Sequence, residues 1–295
     1  MQEDGISVLS LFDGISCGQL ALQRLGVKVK NYFASEIDEY AIKVTQYNFP
    51  NTIQIGNVND VKANNLPKID LLIGGSPCQG FSFVGKQLGF DDSRSKLFFE
   101  YVRLLKECKP KYFLMENVRM KKEHENIISQ YLGRKPIVIN SALLSAQNRV
   151  RLYWTNIANE KYGLFGENKC VIKQPNDKGI LLNDILEHDV SREYYINNAK
   201  FLTFIQDEKR MKKKYVQIGG KKALTQTTRQ YKNWNGTYIR EGNNKIRRLT
   251  PVECERLQTI PDNYTACVSD SQRYRLLGNA WTVDVIAYII SHATF

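Results

Sequence analysis

Five short β-rich runs punctuate the first 157 residues: VLSLF (8–12), YFASEI (32–37), IQIGNV (53–58), DLLIGG (70–75) and YFLMENV (112–118). Between them, GQLALQRLG (18–26), DEYAIKVTQYN (38–48) and KLFFEYVRLLKEC (96–108) repeat apolar residues at spacings of three and four, the period of an amphipathic helix. Strict alternation of strand and helix leaves few architectures open, because successive strands must pair in parallel through right-handed crossovers. The sequence therefore predicts an α/β fold with a mostly parallel, helix-covered sheet. Such sheets hold ligands beyond the carboxyl ends of their strands, so the residues that follow each run carry the functional information.

From about Lys161 to Lys245 the alternation gives way to Gly-, Asn- and Lys-rich text, including KRMKKKY (209–215), GGKK (219–222) and KNWNG (232–236). This stretch is read as a second lobe, giving a division into 1–158, 159–246 and a segment 247–295 that returns to the sheet. Within the last part, LTPVECERLQTI (249–260) predicts a helix with Thr250 as N-cap, Pro251 at its first position and Glu253 closing a capping box. GNAWTVDVIAYIISHA (278–293) predicts a further amphipathic or buried helix.

With 295 residues, 42% of them hydrophobic, the chain can bury a sizeable core. It has no run of about 18 apolar residues, and MQEDGISVLSLF lacks the basic start of a signal peptide, so a soluble, cytoplasmic protein with no membrane partner is expected. Cys17, Cys78, Cys108, Cys170, Cys254 and Cys267 form no CxxC pair and no Cys/His cluster, which points to neither a metal site nor a disulfide framework. The net charge of +12 points to a polyanionic partner. Most of the excess lies in residues 160–248, with 19 Lys and Arg against 10 Asp and Glu.

The strand ends are chemically distinctive. FDGISCG (Phe12, Asp13, Gly14 and on to Gly18) is a glycine turn of the kind that lets backbone approach a nucleotide, although the full GxGxxG pattern is missing. Glu36, in SEID, stands about 20 residues further on, where an acid can accept ribose hydroxyls. Helix capping is the other reading of Glu36 and Asp38. GGSPCQGFS (74–82) presents Cys78 behind Pro77 on a rigid loop rather than in a core strand. ENV (116–118) sets the Glu116 carboxylate at the next strand end. A Cys/Glu pair with no plausible His suits addition to a heteroaromatic ring better than acyl transfer. In QNRVR, Gln147, Arg149 and Arg151 alternate and so project on one face, fit for a carbonyl, a phosphate or a carboxylate, or for a solvated strand edge.

Taken in order, FDGISCG, SEID, GGSPCQGFS, ENV, QNRVR, RRLTPVECERLQ (247–258) and GNAWTVDV (278–285) resemble the ordered motifs of the DNA (cytosine-5) methyltransferases, over nearly the whole chain except the basic segment. The resemblance implies a bacterial or phage type, with traits similar to the de novo branch in KLFFEYVRLL and in Ala280–Trp281, where many bacterial members have Ser-Val. It implies a Rossmann-like fold that uses S-adenosylmethionine and releases S-adenosylhomocysteine. By the same resemblance Cys78 attacks C6 of a cytosine flipped out of the duplex, Glu116 holds and activates the base, and Arg151, with Arg149 beside it, binds the base carbonyl. Phe12, Asp13, Gly14, Glu36, Ile37, Asn57, Val58, Pro77, Leu97, Asn279 and Trp281 fall to the cofactor. Asn57 departs from the family's Gly-Asp at the third strand, but its side-chain carbonyl can still accept the adenine amino group.

The basic segment corresponds to the family's target-recognition region. Arg229, Tyr231, Trp234 and Arg240 are its candidate groove or base contacts, and most of its lysines would equally be a solvated face. Gln79, Ser82, Lys86 and Gln147 are further DNA-binding candidates, and the loop 82–93 is expected to close on DNA. The implied partners are double-stranded DNA and, functionally, a cognate restriction endonuclease, with the protein a monomer. Two rivals remain. One is a tRNA cytosine-5 methyltransferase of the same fold, whose branch carries PPCQ and CFT where this chain has SPCQ and no CFT. The other is a catalytically silent DNA-binding homologue.

Overall fold

In a computed structural model, which describes residues 5–77, 96–162, 167–229, 231, 234–242 and 245–295, the strand and helix alternation becomes a seven-stranded sheet. In chain order its first part is β1 (Ile6–Leu11), α1 (Cys17–Arg24), β2 (Val29–Ser35), α2 (Glu39–Asn48), β3 (Ile53–Gln54), β4 (Leu71–Gly74), α3 (Leu97–Cys108) and β5 (Tyr112–Val118). It continues with α4 (Lys122–Leu132), β6 (Ile137–Asn140) and β7 (Val150–Thr155). The strand order is β3-β2-β1-β4-β5-β7-β6. β1 pairs in parallel with β2 and β4, and β4 with β5, while β7 runs antiparallel to β5. Every residue of β1 is buried, as expected of a central strand covered on both faces, which is why it reads as a run rather than an alternation. Leu9, Leu11, Leu72, Phe98, Tyr101, Met115 and Trp154 belong to one core cluster on this sheet.

The chain divides into two compact units. The first comprises Met1–Ile139, Val150–Gln174 and Ile286–Phe295, and the second Asn140–Arg149 and Pro175–Val285. The first unit also holds the hairpin of β8 (Asn159–Tyr162) and β9 (Glu167–Cys170), so residues 159–174 group with the sheet. The second holds α5 (Ala199–Ile205), α6 (Glu208–Lys212) and a sheet ordered β10 (Val216–Ile218), β11 (Gly236–Glu241), β12 (Lys245–Arg248). α7 (Pro251–Leu257) and α8 (Asp270–Asn279) follow, and α9 (Val283–Ile290) carries the chain back into the first unit. Residues 247–285 therefore group with residues 175–246 rather than with the sheet. Trp234, a candidate groove contact by sequence, stacks on Phe201 at 4.4 Å and belongs to the apolar cluster of Phe201, Ile205, Val216, Tyr238 and Ile246.

Two elements differ from the sequence reading for identifiable reasons. IQIGNV supplies only a two-residue strand, because Gly56 takes φ +72° and Asn57 caps a short turn, Val58–Asp60, by accepting from Asn59 N at 3.0 Å. The tail is two helices, not one. The Arg149 guanidinium takes the Gly278 and Ala280 carbonyls, and Val283 N donates instead to Gln258 O, so helical pairing is interrupted between Ala280 and Val283. The capping box of α7 is as expected: Thr250 accepts from Glu253 N, and Glu253 accepts from Thr250 N. Glu253 is also bound, fully buried, by Arg247, which reaches Glu241 as well.

Helix α8 lies against the extended segment before β11 through Gly278, where an added Cβ would sit 2.3 Å from the backbone of Thr227 and Thr228. Backbone cannot swing aside as a side chain can. Gly278→Ala is expected to lower unfolding free energy in urea by about 2–3 kcal/mol, the range of overpacking in a closed core.

Candidate active site

Register sets the level at which the strands end. Leu11 is paired with Ser35 on one side and Gly74 on the other, and Gly74 with Met115. The next residues, Phe12, Glu36, Gly75 and Glu116, consequently stand at one edge of the sheet.

β1 leaves the sheet through FDGIS, in which Phe12, Gly14 and Ser16 have φ of 56°, 61° and 59°. For the two residues with side chains this left-handed backbone costs on the order of 1–2 kcal/mol each, and hydrogen bonds hold it in place. Gly14 N donates to Glu36 Oε2 at 2.8 Å and Asp13 N to Ser35 O at 3.2 Å. A Cβ on Gly14 would meet nothing within 4 Å, so glycine serves the conformation and open space adjoins it. Glu36 also accepts from Ile37 N at 2.7 Å and Asp38 N at 2.9 Å. Asp38 caps α2 through Tyr40 N and Ala41 N. The two acids of SEID are thus separated in role: Asp38 is the cap, and Glu36 fastens the glycine turn. Ile37, beside it, is 73% exposed, an apolar side chain available to a planar group.

Asp13 accepts from the hydroxyls of Ser16 and Tyr32, the latter at 2.9 Å. Burial pushes its carboxyl up to about 6, against the opposing pull of the Ser10, Ser16 and Tyr32 hydroxyls. A half-buried carboxyl next to open space suits a cationic ligand, which would favour its ionised form. Around this edge Asn57 is exposed, Val58 is buried in the core, and Leu97 and Pro77 are half-buried. The residues present therefore fit a nucleoside carrying a positive charge.

At the other strand end Glu116 is buried and meets Arg151, with Nε 2.9 Å from Oε1. In the antiparallel β5–β7 pair Glu116 lies opposite Tyr153, and Arg151 opposite Val118, so the ion pair spans a diagonal that a long guanidinium reaches easily. Asn117, to which the sequence reading gave no role, donates from Nδ2 to Ser76 Oγ at 3.2 Å and Ser76 O at 3.4 Å, tying the GGSP loop to β5. The signal was present in the ENV tripeptide. Cys78, Gln79, Ser82 and Lys86, and the loop 82–93, lie outside the described residues.

Arg149 belongs to the second unit, 3% exposed, and donates to Gln226 O at 3.1 Å, Gly278 O at 3.3 Å and Ala280 O at 2.9 Å. Gln147 is fully buried there, donating to Leu257 O at 3.2 Å and accepting from Gln226 N at 2.7 Å. Both therefore hold backbone. Of the other second-unit candidates Arg229, Arg240 and Asn279 are exposed and Trp281 is half-buried. Among the described residues no His, Cys, Asp and Glu cluster could hold a metal ion, and no helix is long and apolar enough to cross a membrane.

A profile of the family described as C-5 cytosine-specific DNA methylase matches residues 6–294. The chain is 34% identical to the type II methyltransferase M1.ScrFI of Lactococcus lactis subsp. cremoris, over 95% of this chain and 75% of that one. It is 31% identical to the type II methyltransferase M.NlaX of Neisseria lactamica, over 96% and 94% of the two chains. Among solved structures, the methyltransferase EhMeth of Entamoeba histolytica superposes with a TM-score of 0.78 at 18% identity, covering 98% of each chain. That likeness concerns the fold.

The two arginines of QNRVR should separate by stability. Arg149→Lys keeps the charge but cannot serve three carbonyls with a planar fork, so a loss of about 2–3 kcal/mol is expected in chemical denaturation. Arg151→Lys, whose guanidinium serves Glu116 and only one carbonyl, that of its neighbour Val150, is expected to lose less than about 1 kcal/mol.

Proposed function

The chain belongs to the C-5 cytosine-specific DNA methylases, and from that membership we infer that it carries a methyl group from S-adenosylmethionine to C5 of cytosine in DNA. The observation that carries the reading of the site is the Glu116–Arg151 pair, held at the sheet edge beside the Ser76–Pro77 loop that leads to Cys78. The proposed catalytic residues are Cys78, Glu116 and Arg151, while Arg149 and Gln147 hold backbone within the second unit.

In the proposed reaction the Cys78 thiolate bonds to C6 of a cytosine turned out of the duplex, and the displaced π electrons pass to C5. Glu116 hydrogen-bonds N3 and the exocyclic amine, and Arg151 orients Glu116 and meets the base carbonyl, so charge that accumulates on the ring settles against fixed polar groups. S-adenosylmethionine, when bound, would supply an electrophilic methyl on a sulfonium, which C5 would take as the sulfur–methyl bond breaks to leave neutral S-adenosylhomocysteine. C5 then loses its proton to a base, the Sγ–C6 bond breaks, and the aromatic ring and the thiolate return. Phe12, Asp13, Gly14, Glu36, Ile37, Asn57, Val58, Pro77, Leu97, Asn279 and Trp281 are the residues proposed to hold the cofactor.

The second unit is proposed to read a specific duplex sequence, with Arg229 and Arg240 exposed for contact and Gln79, Ser82 and Lys86 meeting DNA from the catalytic loop. The enzyme would be a DNA (cytosine-5-)-methyltransferase acting as a cytoplasmic monomer, functionally paired with a restriction endonuclease. The nearness to type II methyltransferases over almost the full chain supports DNA over tRNA as substrate.

Labelled methyl transfer to duplex DNA and to total tRNA, with 5-methylcytosine mapped at single bases, tests this reading. Label at one recurring DNA motif is expected. Label in tRNA alone would move the substrate, and label in neither would leave a silent homologue. Cys78→Ser is expected to lose transfer while DNA binding persists, since the phosphate contacts are untouched.

The Asp13 carboxyl predicts a pH dependence. Below about 6 it is neutral and must lose a proton to meet a cation, and above that it is already ionised. By titration calorimetry, S-adenosylmethionine affinity is expected to rise with pH through about 6 and level off above 7. Asp13→Asn should flatten the profile and remove the accompanying proton release.

A further inference from the structure

β3 is the shortest strand of the seven, and its ladder with β2 covers only Ile53 and Gln54. Ile55 N still donates to Ala34 O at 2.9 Å, and the pairing ends there. The turn that follows, which opens with Asn57 and Val58, must take its position from other elements. From β2, the Ser35 hydroxyl donates to Gly56 O at 2.8 Å and keeps the turn next to Glu36 at the carboxyl edge of the sheet. From α3, Arg103 Nη2 donates to Val61 O at 2.9 Å and to Val58 O at 3.3 Å. Arg103 is itself held. Its Nε donates to Glu100 Oε2 at 2.8 Å and its Nη1 to Glu107 Oε2 at 2.9 Å, carboxylates three residues before it and four after on the same helix face.

The Arg103 side chain is partly exposed, so water could satisfy the same two carbonyls. Water cannot fix how far they stand from a helix, whereas a planar fork braced by two carboxylates can. Only Lys109 to Lys111 separate the end of α3 from β5, and the Tyr101 ring lies over Gly74, the last residue of β4, so Leu97 opens the helix toward the carboxyl edge. Asn57 and Val58 on the turn and Leu97 on the helix are among the residues proposed to hold the cofactor, and Val58 and Leu97 pack in one apolar cluster. The spacing of turn and helix sets the width of the slot open to a planar ring, and Arg103 ties its two sides together.

We propose that Arg103 is a positioning residue for the purine half of S-adenosylmethionine, which touches no reacting atom and fixes the turn of Asn57 and Val58 against α3 so that the slot stands formed before the ligand arrives. This rests on the reading of that edge as the cofactor site. The test uses Arg103→Met, which keeps the apolar stem and removes the donors, and Arg103→Lys, which keeps the charge. Affinities for S-adenosylhomocysteine and for 5′-methylthioadenosine, which has the adenosine but no amino acid, are measured by titration calorimetry beside steady-state methyl transfer. Arg103→Met is expected to weaken both ligands by the same factor, about tenfold, as preorganisation is lost. The KM for S-adenosylmethionine should rise by as much, with kcat at saturating cofactor within about twofold of wild type. Arg103→Lys should lose about threefold on both ligands, and it carries the comparison should the methionine variant fail to fold. Because Arg103 acts through the turn, Asn57→Ala/Arg103→Met should lose less than the product of the two single losses. A merely structural brace would lower the denaturation midpoint and leave the affinities and their coupling unmoved. Unchanged affinity for either ligand, a fall in kcat as large as the rise in KM, or losses that multiply in the double variant would overturn the proposal. If wild type binds neither ligand, or Asn57→Ala binds both as well as wild type, the reading of the edge falls and takes the proposal with it; if Asn57→Ala weakens binding and the Arg103 variants do not, only the role of Arg103 falls.

Discussion

Parallel pairing in register is the constraint on which the catalytic edge depends. Because Leu11, Ser35, Gly74 and Met115 lie at one level across four strands, the glycine turn after Phe12, Glu36, the segment from Gly75 to Pro77 and Glu116 all begin at that edge. A one-residue slip of any strand would turn its entire pattern to the opposite face. The buried strand interiors forbid such a slip, so packing energy, spread over many leucines and isoleucines, is what places a few polar groups. Asn117 adds a local fastening, joining β5 to the loop that carries Ser76. The loop is therefore anchored one residue before Pro77.

The second unit solves a different problem. Its chain is poor in regular structure and holds itself together with buried polar groups that serve backbone. Arg149 binds three carbonyls, Gln147 bridges Leu257 and Gln226, and Glu255 accepts from Asn263 N, Thr265 N and Arg273. Irregular backbone leaves carbonyls and N–H groups without ladder partners, and each left unpaired inside costs about 1–3 kcal/mol. Side chains with fixed fork or amide geometry are the economical remedy, which is why so many polar residues are buried here.

Much of the architecture was legible because its cause is local. YFLMENV spans its strand end to end, and the capping box at Thr250 and Glu253 forms as written, since both follow from periodicity and short-range chemistry. The strand end at Gly56 was overread because apolar residues on either side concealed a turn that a left-handed glycine and the Asn57 cap decide. The candidate site was legible as a set of residue types but not as a division of labour. Alternation placed Gln147, Arg149 and Arg151 on one face, yet only Arg151 reaches Glu116. Gln147 and Arg149 are taken by carbonyls and amides over 70 residues away in sequence, a demand that no window of the sequence displays.

The same limit explains the two kinds of positive charge. Composition counts lysine and arginine alike, and the sequence gives one basic segment. In the folded unit the arginines at 247, 256 and 273 are drawn to carboxylates, because a delocalised, weakly hydrated guanidinium loses less on burial and repays it with two directed hydrogen bonds. The lysines of α6 stay in water, because an ammonium is costly to desolvate. The buried Arg247 and Arg273, and Lys222 on the carbonyls of Ala142, Ser145 and Ile180, make an internal frame that fixes the backbone, and the exposed lysines of α6 add an external field that acts over about 8–10 Å at physiological salt. The first fixes the shape of the unit, and the second fades as salt rises while the first does not.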